Sequence, residues 1–149
     1  MIIYPAIDLK DGKCVRLTKG DFNQETIYSR SPLEQAKVFE EKGFQHLHVV
    51  DLDRTIDKSK SNLSTIKSII QNTKLKVQVG CGLRTRETVE EVIDLGVENV
   101  VMGTGAVNNP DLLLEVSQRY QNKISVGLDV REKMIALKGW KEQTQISCF

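Results

Sequence analysis

The chain has 149 residues, 40% hydrophobic and 28% charged, with a formal net charge of +1, which fits one globular domain with its own core. Near-neutral charge gives no bulk attraction to nucleic acid or to an anionic membrane, so any anionic ligand must be captured locally. No apolar run approaches the ~20 residues of a membrane span, the opening Met1-Ile2-Ile3-Tyr4 lacks the features of a signal peptide, and Cys14, Cys81 and Cys148 are odd in number and widely spaced, so a reducing cytoplasm is expected rather than a disulfide framework or a zinc site.

Strand-like runs rich in Val, Ile and Leu alternate with helix-like runs from end to end. Strands are predicted over residues 2–7, 46–50, 76–79, 99–102 and 123–128, with the apolar character of strands covered on both faces. Ser31-Pro32-Leu33-Glu34 offers a cap, a proline at the first helical position and a capping box, with Gly43 placed to end that helix. Asn62 is predicted to cap a second helix bearing Leu63, Ile66, Ile69 and Ile70. Thr85 caps a third, with Val89, Val92 and Ile93 on one face and Gly96 closing it. Asn109-Pro110 opens a fourth, with Leu112, Leu113 and Val116 inward. The polar residues 57–61 read as a loop. Strands separated by single helices require parallel pairing with right-handed crossovers. An open doubly wound sheet and a closed barrel both satisfy that order.

An internal repeat favours the barrel. Ile7-Asp8-Leu9-Lys10-Asp11-Gly12 runs on to Lys19-Gly20, and Leu128-Asp129-Val130-Arg131-Glu132-Lys133 runs on to Lys138-Gly139, the alignment needing a gap of two residues. Each copy has an apolar strand ending in Asp, a basic residue, an acidic residue, a short apolar run and Lys-Gly. A period of four βα units is what a barrel of two similar halves shows. In such a barrel, strand ends point into the active-site mouth, and strands one and five lie opposite each other. Asp8 and Asp129 would then face one another across a substrate, an acid–base pair if their environments separate their pKa values. An Asp after a strand also serves as a helix cap or turn residue.

Two glycine-rich turns follow the third and fourth strands, Gly80-Cys81-Gly82-Leu83-Arg84-Thr85 and Gly103-Thr104-Gly105-Ala106. Such turns let backbone N–H groups approach an anion, Thr104 adds a hydroxyl, and Arg84 can pair with phosphate bidentately. Glycine at a βα turn also serves backbone geometry alone. Neither turn is a dinucleotide fingerprint or a P-loop. Asp51 and Asp53 end the second strand, where at least one is expected to face the mouth, the other option being capping or pairing with Arg54. His46 and His48 share a face without further metal ligands, which favours packing and hydrogen bonding. Trp140 follows the fifth strand and is placed to stack on a substrate ring or to cover the rim.

Several of these motifs, in this order and spacing, resemble the phosphoribosylformimino-5-aminoimidazole carboxamide ribotide isomerases of histidine biosynthesis. The likeness lies in Tyr4-Pro5-Ala6-Ile7-Asp8-Leu9-Lys10-Asp11-Gly12-Lys13, Val15-Arg16-Leu17 and Lys19-Gly20-Asp21. It continues in His48-Val49-Val50-Asp51-Leu52-Asp53, both glycine turns, Gly127-Leu128-Asp129-Val130-Arg131 and Leu137-Lys138-Gly139-Trp140. The resemblance implies an α/β chain of the (β/α)8 TIM barrel family. It implies one domain over residues 1–149 that carries strands one to five of an incomplete phosphate-binding barrel. It further implies a cofactor-free Amadori rearrangement of a bis-phosphorylated ribonucleotide, with Asp8 as proton acceptor and Asp129 as proton donor. Gly80, Gly82, Arg84, Gly103 and Thr104 would bind phosphate, and Trp140 the substrate. The family usually has Gly-Gly-Gly-Ile-Arg where Cys81 and Leu83 stand here, a Gly-Ala pair where Arg54-Thr55 stands, and another small residue at Gly105. A whole barrel needs roughly 250 residues. The chain is therefore expected to be inactive alone and to self-associate through open sheet edges. The alternatives are the cyclase subunit of imidazole glycerol phosphate synthase and a non-catalytic phosphosugar-binding fragment.

Overall fold

In chain order the elements are β1 (Ala6–Lys10), β2 (Lys13–Thr18), β3 (Asp21–Ile27), α1 (Pro32–Glu41), β4 (His46–Asp51), α2 (Leu52–Ile56), α3 (Leu63–Asn72), β5 (Lys76–Gly80), α4 (Arg86–Ile93), β6 (Asn99–Met102), α5 (Thr104–Asn108), α6 (Pro110–Arg119), β7 (Ile124–Val126), β8 (Asp129–Arg131), β9 (Met134–Leu137) and β10 (Glu142–Ser147). They come from a computed structural model that describes residues 1–18, 21–57, 60–80, 82–137 and 142–148.

Strand order decides between the two architectures. The main sheet runs β3-β2-β1-β4-β5-β6-β7, and β1, β4, β5, β6 and β7 pair in parallel, each with the next along the chain. A doubly wound sheet reverses direction at a switch point; this one never reverses. It is an arc of a barrel with five parallel strands and the four helical crossovers between them. Burial alternates accordingly. Ile7, Leu9, Leu47, Val49, Val77, Val79, Val100 and Met102 are almost fully buried, and Ala36, Ile66, Ile69, Val89, Val92, Leu112 and Val116 of the helices join them in one core. The other face, with Asp8, His48, Val50, Gln78, Gly80 and Val101, is only half-buried. That is the inward face of a barrel wall.

Most local signals act as read. Ser31 Oγ accepts from Glu34 N at 3.3 Å while Ser31 N donates to Glu34 Oε2 at 2.9 Å, a complete capping box with Pro32 just inside. Gly43 takes φ 85° just past the helix end, the left-handed C′ geometry that glycine tolerates. Thr85 and Asn109 cap α4 and α6 through their side chains. Asn62 departs from expectation, because its side chain makes no cap bond to α3 and is used elsewhere.

The first strand also departs from expectation. It lies over Ala6–Lys10 rather than residues 2–7, and Met1, Ile2, Ile3 and Tyr4 are exposed. Asp11 and Gly12 sit at φ 47° and 72°, a two-residue turn with both φ positive. The turn folds β2 back along β1 with Asp8 opposite Val15 and Lys10 opposite Lys13. The sequence repeat then becomes a repeated shape. Glu132 and Lys133 take φ 50° and 65°, and β8 and β9 pair with Asp129 opposite Ala136 and Arg131 opposite Met134. Each copy gains a third antiparallel strand, β3 on β2 and β10 on β9. Lys19, Gly20, Lys138 and Gly139, which end the repeat, lie outside the described residues. Among the described residues no helix is long and apolar enough to cross a membrane.

Candidate active site

At the carboxyl ends of β4, β5, β6 and β7 lies an open cleft of about 480 Å³, the usual place and size for a small-ligand site in a parallel α/β fold. Both glycine turns reach it. Gly80, Gly82, Leu83 and Arg84 line one wall and Gly103, Thr104 and Gly105 the next, with His48, Val50 and Thr55 beneath and Gly127, Leu128 and Asp129 at the far side. Five of the expected phosphate residues and one of the two expected carboxylates thus share one cleft. Cys81 and Trp140 lie outside the described residues.

The glycine turns are held by contacts with other turns. A Cβ on Gly82 would lie 2.7 Å from the Arg54 carbonyl oxygen, and one on Gly105 would lie 2.1 Å from that of Leu83. Glycine lets three consecutive βα turns stack backbone against backbone, which keeps the lining low enough for an anion to meet N–H groups. Arg84 is half-buried on that lining.

Asp8 is not among the residues that line the cleft. Inside β1, between Ile7 and Leu9, it borders a smaller cavity of about 210 Å³ with Cys14, Val15, Tyr28, Gln35 and Phe39. Its side chain lies on the half-buried face, within electrostatic reach of His48 and Arg16. Burial raises the Asp8 carboxyl above the ordinary carboxylate value, and the positive charge available on His48 and Arg16 partly offsets that rise. Asp129 opens β8 and is exposed, because the small sheet β10-β9-β8 is separate from the main one. The pair therefore occupies unlike surroundings, one half-buried and one in water.

The structure assigns Asp51 and Asp53 to support. Neither lines the cleft. Asp51 is fully buried, caps α2 by accepting from Arg54 N at 3.2 Å, and accepts from Asn62 N and Nδ2 at 2.7 Å each. Asp53 Oδ2 accepts from Asp11 N at 2.6 Å and Asn62 Nδ2 at 2.8 Å, while Asn62 Oδ1 accepts from Gly12 N at 2.8 Å. Buried carboxylates demand such partners, so the expected cap at Asn62 serves instead as a clamp between the first turn and α2. Arg54 pairs with Glu91 of α4 at 2.5 Å rather than with either Asp. Sequence reasoning missed this clamp because its members lie up to 50 positions apart. His46 packs on Tyr4 with ring centroids 4.8 Å apart, and His48 Nδ1 lies 3.0 Å from Gln78 Oε1. The expected packing and hydrogen bonding of these two residues is therefore seen.

A profile of the histidine biosynthesis protein family matches residues 2–149. The chain belongs to that family. The fold of the histidine biosynthesis family is a (β/α)8 barrel, of which this chain carries five parallel strands with their crossovers. Curated relatives are each named 1-(5-phosphoribosyl)-5-((5-phosphoribosylamino)methylideneamino) imidazole-4-carboxamide isomerase. One from Pelagibacter ubique is 45% identical over 144 residues, covering 97% of this chain and 60% of the relative. One from Sulfurihydrogenibium sp. is 42% identical, covering 97% and 61%. One from Desulfitobacterium hafniense is 44% identical, covering all of this chain and 60% of the relative. The chain thus spans about three fifths of the length of these histidine biosynthesis relatives.

Proposed function

We propose that the chain supplies the first five strand units of an aldose–ketose isomerase acting on N'-(5'-phosphoribosyl)formimino-5-aminoimidazole-4-carboxamide ribonucleotide, without a cofactor and in the cytoplasm. The observation that carries the proposal is the convergence of both glycine turns, Arg84 and Asp129 on one cleft in a chain whose relatives bear that isomerase name. The relatives' name also favours the isomerase over the cyclase.

Gly80, Gly82, Gly103, Thr104 and Arg84 grip one phosphate through backbone N–H groups, a hydroxyl and a guanidinium. Asp129 gives a proton to the ring oxygen as the sugar opens. Asp8, whose half-buried carboxyl has raised proton affinity, removes the proton from the neighbouring carbon. Trp140, which lies outside the described residues, is assigned a contact with the substrate by the family resemblance alone. A closed barrel needs eight strands, so turnover is expected only when a polypeptide carrying the other three βα units is supplied.

The test is an isomerisation assay on such a complemented chain. Asp8→Asn and Asp129→Asn should each lower kcat by ~10²–10⁴-fold, the usual contribution of one acid–base group. Near-normal rates in both would refute the assigned roles. The second reading, a phosphosugar-binding piece, draws on the placement of Asp8 beside the cleft rather than in its lining. Ribose 5-phosphate binding by the chain alone, weakened by Arg84→Ala, with no turnover after complementation, would select it.

A further inference from the structure

One polar row crosses the open face of the sheet beneath the cleft. The register aligns Ala6, His48, Gln78 and Asn99 across four neighbouring strands. His48 Nδ1 lies 3.0 Å from Gln78 Oε1, and Gln78 Nε2 donates to Asn99 Oδ1 at 3.0 Å. With its amide nitrogen donating to Asn99, Gln78 turns its Oε1 toward His48. A proton on Nδ1 completes that contact and leaves the lone pair on Nε2. That nitrogen turns to the mouth. A Cβ on Gly80 would meet His48 Cε1 at 3.4 Å and Nε2 at 3.6 Å, and His48 lines the cleft while its ring interacts with Asp8. Burial also holds the imidazole below its ordinary value, which favours the neutral ring. The charged group facing it is Asp8 on β1, with Arg16 on β2 facing Asp8 in turn.

The rearrangement has a step that such an acceptor serves. When the ring opens, the C1–O bond breaks, nitrogen shares its pair with C1, and the released oxygen takes a proton from Asp129. Asp8 then takes the C2 proton. The C–H pair becomes the C1–C2 double bond, and the iminium pair returns to nitrogen. To form the ketose, the enol must lose its hydroxyl proton while C1 regains one from Asp8. Asp8 already holds the C2 proton and cannot accept a second, which leaves the Asp129 carboxylate or the bare nitrogen of His48, the one whose ring interacts with Asp8.

Resting on the isomerase reading, we propose that His48 Nε2 accepts the proton of the hydroxyl on the carbon deprotonated by Asp8, and that the Gln78–Asn99 ladder fixes the tautomer that allows it. The protons balance: one leaves Asp129, one arrives at His48, the C2 proton moves to C1 through Asp8, and water resets both side chains.

Two experiments test it. Long-range nitrogen–proton NMR of the 15N-labelled chain should show His48 neutral at pH 7.5, protonated on Nδ1 and bare on Nε2. A proton found on Nε2 overturns the proposal, whether or not the complemented chain is active. In the complemented chain with substrate deuterated at C2, His48→Gln should still wash deuterium into solvent while ketose formation falls ~10²-fold or more; Asp8→Asn should lose both. Gln78→Glu, whose carboxylate raises the imidazole's proton affinity, should move the acid limb of ketose formation to higher pH. Wild-type ketose formation in His48→Gln beside an impaired Asp8→Asn sinks this inference alone, whereas normal turnover in Asp8→Asn sinks the isomerase reading beneath it.

Discussion

Replacing Gly82 with alanine tests whether the cleft is built by backbone contact. The added methyl would stand 2.7 Å from the Arg54 carbonyl oxygen, 3.2 Å from its carbon and 3.3 Å from Thr55 Cα. A carbon needs about 3.3 Å from a carbonyl oxygen, so the two turns must part by roughly half an ångström. Arg54 cannot give way easily, since Asp51 accepts its N–H, its guanidinium is paired with Glu91, and the residue is buried. The glycine turn therefore moves, and Arg84 moves with it. Overpacking of this kind costs about 1–3 kcal/mol. With a urea dependence of about 2 kcal/mol/M, a 2 kcal/mol loss lowers the unfolding midpoint by about 1 M. Urea unfolding followed by circular dichroism reads that loss, and a phosphate titration by NMR should show weaker binding in the same variant. An unchanged midpoint together with unchanged phosphate shifts would refute the idea that stacked backbones shape this wall.

Further outcomes follow from the supporting network and the twin hairpins. Asn62→Leu orphans the N–H of Gly12 and removes one of the two donors from Asp51 Oδ1 and from Asp53 Oδ2. At about 1–3 kcal/mol for such a loss, the urea unfolding midpoint should fall measurably. Lys133→Gly, at φ 65°, should stabilise the chain by about 1 kcal/mol by removing left-handed strain from a side-chain-bearing residue, read as a raised unfolding midpoint. Burial depresses proton binding by folded His48 relative to the usual 6.5. The unfolded chain then binds more protons, and stability is lost as pH falls below 6.5 through the folded value. Asp8 has the opposite sense, because its raised carboxyl favours the folded state below 3.8 and loses that contribution as pH rises through its folded value. His48→Gln should therefore flatten the decline in urea midpoint between pH 7.5 and pH 5; an unchanged slope would mean that the imidazole titrates normally.

The parallel strands were legible because each is a short Val-, Ile- or Leu-rich run between capped helices, and β6 falls on the expected residues. The helix starts at Ser31, Thr85 and Asn109 were legible because a cap is a local bond, read within three residues. The first strand was misplaced for a related reason. Residues 1–4 are as apolar as a core strand but lie exposed, and apolar character alone does not say which neighbour covers it. The Asp11-Gly12 pair, a strong hairpin signal, would have extended β1 beyond residue 7. The short helices α2 and α5 carry too few turns to show a period. The repeat announced the matched positions of Asp8 and Asp129, yet one lies on the sheet and the other beyond it, a difference set by tertiary packing. Asp51, Asp53 and Asn62 read as mouth or cap residues, and only the fold brings them to one buried cluster.

The two hairpins share a register but not an anchorage. The tip of the first donates both its amides to the side chains of Asp53 and Asn62, while Glu132 and Lys133 at the tip of the second are exposed and held at left-handed angles without glycine. Local opening is cheaper where the tip is strained and solvated. Amide protons of residues 130–135 should exchange with solvent faster than those of residues 9–14. Motion is thus apportioned unequally across a duplicated plan, with the first arm fastened and the second compliant.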